Sequence, residues 1–426
     1  MKHFGKLSAS TALLALVPGL PAALLPGLPA PAHPRSRPAG PAGLAAVAVS
    51  PRHAGAAVGE YVNLSIGGVR DFSLTDAWAV GYACVSGCAS VGGIGEIDHM
   101  VILHWNGTTW SSVPAPRQSA SASYRLSAIA GDSATDAWAA GTKVASNGKA
   151  SPLVLHWDGR AWSNASPATP ATGELSGVSA DTASDVWAVG QGAGDRTLIL
   201  RWNGSTWSRV PSPDPGQSFD ALTAVAAGSA NNAWAAGFYN KTAASLSQAL
   251  ALHWNGTAWS AAALPGLGNG TTTLNAVTVL TARNGWAAGS SCPQAGCAPG
   301  TKVPALILSW NGTSWSKAST PDLPAGNELT GVAAISASDA WAVGAGASPG
   351  GTGTVTLIVH WNGRSWSTVT SPRAGVSSGF AAVSAASATD AWAAGTACLA
   401  QCNVVGAAKT GIPLLAHWNG HTWSSQ

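Results

Sequence analysis

Three sets of reactive side chains recur in this sequence at fixed spacings. Five histidines stand at one place in a repeated phrase, "HWNGTTWSS" from His104 and its echoes from His156, His253, His360 and His417; Arg201 and Ser309 fill that place in two further copies. Six cysteines form three close pairs, Cys84 with Cys88, Cys292 with Cys297 and Cys398 with Cys402. Charged residues gather beside apolar runs: Arg125 before Leu126, Glu174 before Leu175, Asp220 near Leu222, Glu328 before Leu329, the cluster Glu96, Asp98 and His99, and the pair Asp195 and Arg196. A ring of imidazoles would be metal chemistry. Close thiol pairs in an exported chain are disulfide chemistry, and two carboxyls facing each other across a cleft are glycosidic-bond chemistry. Which of these is available depends on the elements that carry the residues.

Those elements follow from an internal repeat. A second phrase, Trp-Ala-x-Gly, precedes each copy of the first, opening at Trp78, Trp138, Trp187, Trp234, Trp286, Trp341 and Trp392; the two phrases together use all 21 tryptophans. Each repeat of about 50 residues holds four short strand-like runs separated by turn residues. In the second repeat they are "LSAIA" from Leu126, "DAWAAG" from Asp136, "PLVLHW" from Pro152 and "AWSNA" from Ala161, here strands A to D. Ser/Thr-x-x-Asp/Asn closes the A-B turn with side-chain oxygens. Asn-Gly, or Asp158-Gly159 once, predicts a type I′ hairpin between C and D. Seven units of four antiparallel strands predict an all-β, seven-bladed β-propeller over 63-426. Burial on both faces accounts for strand C being almost continuously apolar, as in "LILRW" and "LIVHW".

The order L-x-x-V, then "WAVG", then "LILHW-NG-TSW" resembles the bacterial-neuraminidase-type and photosystem II assembly-factor-like propellers, and most of all repeat proteins secreted by actinobacteria, over positions 66-426. The resemblance implies the fold. It implies no active site: the Asp-box pattern S-x-D-x-G-x-T-W has a residue between its acid and its glycine, whereas "SWNGTSW" from Ser309 has none, and an arginine triad with a Tyr/Glu pair finds no matching positions. No catalytic residue, metal or cofactor is assigned.

Composition narrows the partners. Of 21 basic and 18 acidic residues, five and one lie before position 63, leaving 16 and 17 in the repeats. A near-neutral body lacks the basic field that nucleic acid or an anionic membrane surface would require. Lys2 and Lys6 ahead of an apolar run, with Ala30-Pro31-Ala32 behind it, read as a signal peptide over 1-32; an uncleaved anchor is the alternative, with Pro18, Pro21 and Pro26 breaking the run. Residues 33-62 read as a Pro/Ala/Gly-rich linker. The mature protein is expected to be extracellular, not inserted in the membrane, and monomeric.

Within a propeller only innermost-strand positions and the loops at the axis mouth converge on one point. The strand-C histidines are therefore expected to be polar groups hydrogen-bonded between blades rather than ligands of one metal, and the tryptophans to be core. The short A-B and C-D turns share one face; the long, dissimilar B-C and D-A connections share the other, where function is expected. Ligand-contact candidates on that face are Arg125, Glu174, Asp220, Glu328, Glu96, Asp98, His99, Asp195, Arg196 and Tyr239, with Tyr82 and Phe238 as further aromatic candidates. The channel hydroxyls and amide, Ser127, Ser176, Thr223, Asn275 and Thr330, have no activating base. All six cysteines lie in B-C connections, and three local disulfides are the simplest arrangement; a four-thiolate metal site from Cys84, Cys88, Cys398 and Cys402 is the rival, since blades one and seven are neighbours. Three functions remain open: a recognition module for an extracellular glycan or protein, a carbohydrate-active hydrolase or lyase using Glu174 and Glu328, and a purely structural propeller. The short last strand after Trp423 suggests that Tyr61 to Leu64 lies beside it to close the ring.

Overall fold

The computed structural model describes residues 62-86, 97-168, 172-268, 270-292, 305-323, 326-349, 353-399 and 411-426. The leader and all but the last residue of the linker expected from the sequence lie outside these residues. The described chain forms seven four-stranded antiparallel sheets, each in the order A-B-C-D. Strands A are Val62–Ser73, Ser123–Ser133, Gly173–Thr182, Phe219–Ser229, Thr272–Thr281, Glu328–Ser336 and Ser377–Ser387. Each packs against strand A of the next blade, and the last against the first, so the seven form the innermost ring.

Strand B explains both the tryptophan and the glycine of its phrase. Side chains alternate across a strand, so in blade one Trp78 and Val80 face blade two while Ala77 and Ala79 face blade seven. Large residues on one face against small ones on the other set the spacing of adjacent sheets. At the glycine, strand A bulges and carries its carbonyl into strand B. A Cβ on Gly81, Gly141, Gly190, Gly237, Gly289, Gly344 or Gly395 would collide with the carbonyl oxygen of Ser65, Arg125, Glu174, Ala221, Thr273, Glu328 or Gly379 respectively. The phrase is thus a condition for the bulge.

The core is seven separate layers, one at each seam between blades. In every seam the strand-B tryptophan meets the strand-C and strand-D tryptophans of the next blade. Trp78 lies 4.8 Å from Trp157 and 5.5 Å, edge to face, from Trp162. The seventh cluster joins Trp392 to Trp105 and Trp110 of blade one. Aromatic pairs at these separations add to the area they bury. On their outer side the strand-C tryptophans Trp105, Trp157, Trp254, Trp310, Trp361 and Trp418 donate their indole N–H to a carbonyl of their own A-B turn, as Trp105 does to Leu74 at 3.0 Å.

Two expectations about turns and ring closure are corrected. The C-D connection is a four-residue loop, 106-109 in blade one, and only its glycine has positive φ, Gly107 at 93°. A type I′ turn needs positive φ at both central residues. Here the Asn106 side chain instead accepts hydrogen bonds from the N–H groups of Thr108 and Thr109 and from the Thr108 hydroxyl, forming an Asx turn. Leu64 does not lie beside strand D of blade seven. It belongs to the innermost strand of blade one, opposite Ala83, and blade seven is complete from its own residues, Ser377 to Ser425. The closing seam is held by side chains and by cross-blade hydrogen bonds, among them Asp71 N–H to Ser384 Oγ at 3.0 Å and Ile66 N–H to Thr396 Oγ1 at 3.3 Å.

Candidate functional site

The bulge that demands the strand-B glycine also presents one residue per blade near the loop-face end of the innermost strand. These are Ser65, Arg125, Glu174, Ala221, Thr273, Glu328 and Gly379, each one residue before the buried Ile, Leu or Phe that pairs with the glycine. Three of the seven are ionisable, and all three are half-buried.

Arg125 reaches back from blade two to blade one, where its guanidinium pairs with Asp98 and stacks 5.1 Å over the Tyr82 ring. Asp98 is 1% exposed and carried by strand C of blade one. Glu174, in blade three, has its carboxyl pushed above the usual range by burial, with the Arg125 charge opposing the rise. In blade six Glu328 accepts a hydrogen bond of 2.9 Å from the Asn275 amide of blade five, and its carboxyl is also raised by burial, the Asn275 bond opposing. Asn275 donates as well to the Leu329 carbonyl at 2.8 Å. Thr223 and Thr330 repeat this link, their hydroxyls bonding the Leu274 and Phe380 carbonyls of the next blade at 2.7 Å. These hydroxyls tie the innermost strands together.

The remaining candidates are dispersed. Asp220 lies one residue earlier than the mouth position, on the opposite face of its strand, and is fully buried. It accepts the Gly216 N–H at 2.7 Å and lies 3.5 Å from the Arg196 guanidinium, which also donates to the Gly216 carbonyl. Burial raises its carboxyl, against the Gly216 bond. Asp195 has positive φ, 58°, in the B-C turn of blade three and accepts from the Gln191 amide at 2.8 Å. Tyr239 lines a groove over blade four of about 280 Å³. Tyr82, Tyr239 and Phe238 are all half-buried, and Phe238 stacks on Phe219 at 5.5 Å. His99 is half-buried on strand C of blade one, and Glu96 lies outside the described residues. So do Cys88, Cys297 and Cys402; Cys84 and Cys292 are buried, and there is no free thiol among the described residues.

The strand-C histidines bond within their own blade, which corrects the expectation of bonds between blades. Strands B and C pair in a register that sets Trp78 opposite His104, so the imidazole stacks on that indole and reaches the acid opening strand B. His104 lies 3.1 Å from Asp76, His360 2.7 Å from Asp339, His417 2.8 Å from Asp390, and His253 3.0 Å from Asn232. In blade two His156 is 3.4 Å from Asp136, which receives the Trp138 indole N–H at 2.8 Å instead. Arg201 takes over both tasks in blade three, with two bonds of 2.8 Å to Asp185 and its guanidinium 4.7 Å over Trp187.

Two features escaped the residue-by-residue reading. One is a groove over blade two that carries Arg117 and Lys143. The other is Asp71, an acid at a strand-A position where the other blades have Gly131, Ala180, Ala227, Val279, Ala334 and Ala385. Laying the strand-A segments over one another would have found the second; nothing in the local sequence announces the first.

No protein-family model matches the chain, and no curated protein matches it in sequence. Among solved structures it is similar to an ulvan lyase bound to a glucuronyl-rhamnose-3-sulfate unit, with a TM-score of 0.54 at 12% identity, over 87% of this chain and 97% of that one. It is similar to a xyloglucanase from Xanthomonas campestris, with a TM-score of 0.51 at 12% identity, over 89% of this chain and 55% of that one. It is also similar to YCF48, the photosystem II assembly factor, from Cyanidioschyzon merolae, with a TM-score of 0.47 at 14% identity, over 85% and 97%. Identities this low speak to architecture alone: the chain is a seven-bladed β-propeller.

Proposed function

We propose that the protein is an extracellular recognition propeller that holds a glycan at the loop-face mouth of its channel without transforming it. The supporting observation is the rim itself. Arg125, Glu174, Asn275 and Glu328 come from blades two, three, five and six at the mouth end of the innermost strands, and Arg125 and Glu328 are each held by a partner from the neighbouring blade. A rim with both signs of charge offers hydrogen bonds to a polyhydroxyl ligand, while among the described residues the rim hydroxyls of Ser65 and Thr273 bond only other hydroxyls and no base. Binding of the full-length protein to a broad glycan array, beside a Glu174→Gln, Glu328→Gln variant, tests this. Retention by the parent and a loss of about tenfold or more in the variant is the expected result, about 1.4 kcal/mol of lost contact. Retention by neither form removes the glycan reading in favour of a protein partner or a structural role.

A hydrolytic reading draws on the Glu174 and Glu328 carboxyls, both raised above the usual range by burial, which is the direction a general acid requires. Release of new reducing ends from a retained glycan, absent with the variant, would replace recognition by turnover.

The same proposal takes the protein as exported, with Cys84-Cys88, Cys292-Cys297 and Cys398-Cys402 as disulfides that stiffen three B-C connections of the binding face. Intact mass spectrometry after alkylation without reductant is expected to find no labelled cysteine; labelling at Cys84, Cys292 or Cys398 would remove the pairing.

A further inference from the structure

We infer that the groove over blade two is an anion-selective glycan site, taking a sugar residue that carries a carboxylate or sulfate, separate from the channel mouth. The groove has a volume of about 310 Å³. Its walls include Met100, Leu153 and Pro167, and its charged residues are Arg117 and Lys143, with no acid in the lining. In a chain only 9% charged, whose repeats carry 16 basic against 17 acidic residues, two cations without a carboxylate set this groove apart. Neither is paired with a carboxylate among the described residues. The adjacent Arg125, by contrast, is matched by Asp98.

The groove is also built rather than incidental. Lys143 is half-buried, its ammonium 5.7 Å over the ring of Tyr124, which is 7% exposed. The Tyr124 hydroxyl accepts the Ser119 N–H at 3.1 Å, and Gln118 accepts the Met100 N–H at 2.8 Å. Both bonds pin the D-A connection that carries Arg117 as one wall. Blade four supplies an internal comparison. The same place there holds a groove of about 280 Å³ with Tyr239 where Lys143 stands, Gln248 where Ser151 stands, and no charged residue in its lining. The position recurs in blade four, and the charge does not.

Sugar is favoured over peptide by the groove's floor. It is formed by strands B and C of the blade. Strand B is paired on both sides, and strand C pairs with strand D only at Leu155, His156 and Trp157; beyond that, Pro152 has no N–H and the Val154 N–H is taken by Ser166 Oγ at 3.0 Å, so an extended peptide would find few partners for its amides. A uronate or sulfated sugar needs only the two cations for its anion and the proline and aliphatic walls for its C–H face.

The test is calorimetric binding of a decameric oligogalacturonate to the full-length protein at low salt, with its methyl ester and poly-glutamate as comparison probes. Lys143→Gln and Arg117→Gln are each expected to weaken the oligogalacturonate by about tenfold, the loss of one charge-assisted contact. The ester is expected to bind at least that much more weakly than the acid. Arg364→Gln, on the opposite face, is expected to change nothing. No binding, equal binding of the ester, tighter binding of poly-glutamate, or equal weakening by Arg364→Gln would each overturn the inference.

Discussion

Trp392→Ala is expected to lower the unfolding free energy by about 3–5 kcal/mol and to accelerate unfolding more than the same change at any other seam. Trp392 is fully buried, 5.0 Å from Trp105 and 4.9 Å, edge to face, from Trp110, with His417 stacked on its other face at 4.6 Å. Trp187 has nearly the same surroundings at the seam of blades three and four, 5.0 Å from Trp254 and 5.1 Å from Trp259. Deleting either indole leaves a cavity of similar kind, so the equilibrium costs should agree within about 1 kcal/mol. The kinetics should not. Blades three and four are joined by the chain, whereas among the described residues blades one and seven are held together by side chains and cross-blade hydrogen bonds, since neither lends the other a strand. Opening that seam is the one separation of neighbouring blades that stretches no main-chain link from one blade to the next. Urea unfolding rates of Trp392→Ala and Trp187→Ala, compared with the parent, give the readout. Equal acceleration by both would mean that unfolding does not begin at the closing seam.

The architecture is legible in the sequence because a propeller states its rules seven times. The tryptophans and the Trp-Ala-x-Gly glycine recur since every seam needs one large face against one small one and every bulge needs a missing Cβ. What misleads is any feature whose partner lies off the repeat's own line. The Asn-Gly pair points to a type I′ turn on backbone preference alone, but the Asn106 side chain takes over the turn through three hydrogen bonds. The histidines suggest contact between blades until the B-C register sets His104 opposite Trp78 and within reach of Asp76.

Legibility of the candidate site follows the same line. Arg125, Glu174 and Glu328 are placed by a fixed offset from a repeated leucine, so their position near the mouth can be counted out. Asp220 is one residue off that offset, and a period of two sends it to the buried face. The blade-two groove can be counted out only in part. Tyr124 lies opposite Lys143 in the A-B register of blade two, but Arg117 comes from a D-A connection that is unlike the others, so no offset from the repeated phrases places it beside them.

Asp71→Asn is expected to stabilise the protein, and to do so more as the pH rises. Asp71 is 2% exposed at the closing seam. Its Oδ2 accepts the Ala386 N–H of blade seven at 3.2 Å, and its Oδ1 has no partner among the described residues. Burial, reinforced by the charge of Asp390 and to a smaller degree of Asp76, pushes its carboxyl up to about 8, with the Ala386 bond and Arg70 opposing. Asp390 is itself 2% exposed and bonded to His417, and Asp76 to His104, so these groups complete the ionisable surroundings. The sign follows from proton binding. Between an ordinary carboxyl value of about 4 and about 8, the unfolded chain has released the Asp71 proton and the folded chain still holds it, so stability falls as pH rises, by about 1.4 kcal/mol per pH unit at most. Below that window both states are protonated and the burial cost of the charge vanishes; above it the loss is complete and constant. Asparagine keeps an oxygen for Ala386 and never ionises. The variant's advantage over the parent should therefore be near zero at about pH 4, grow through neutrality and level off above about pH 8 at several kcal/mol. Urea denaturation of both proteins across that range measures the difference directly, and other titrating groups cancel in it. Parallel stability curves would mean that Asp71 is ionised in the folded ring and that the closing seam tolerates the charge.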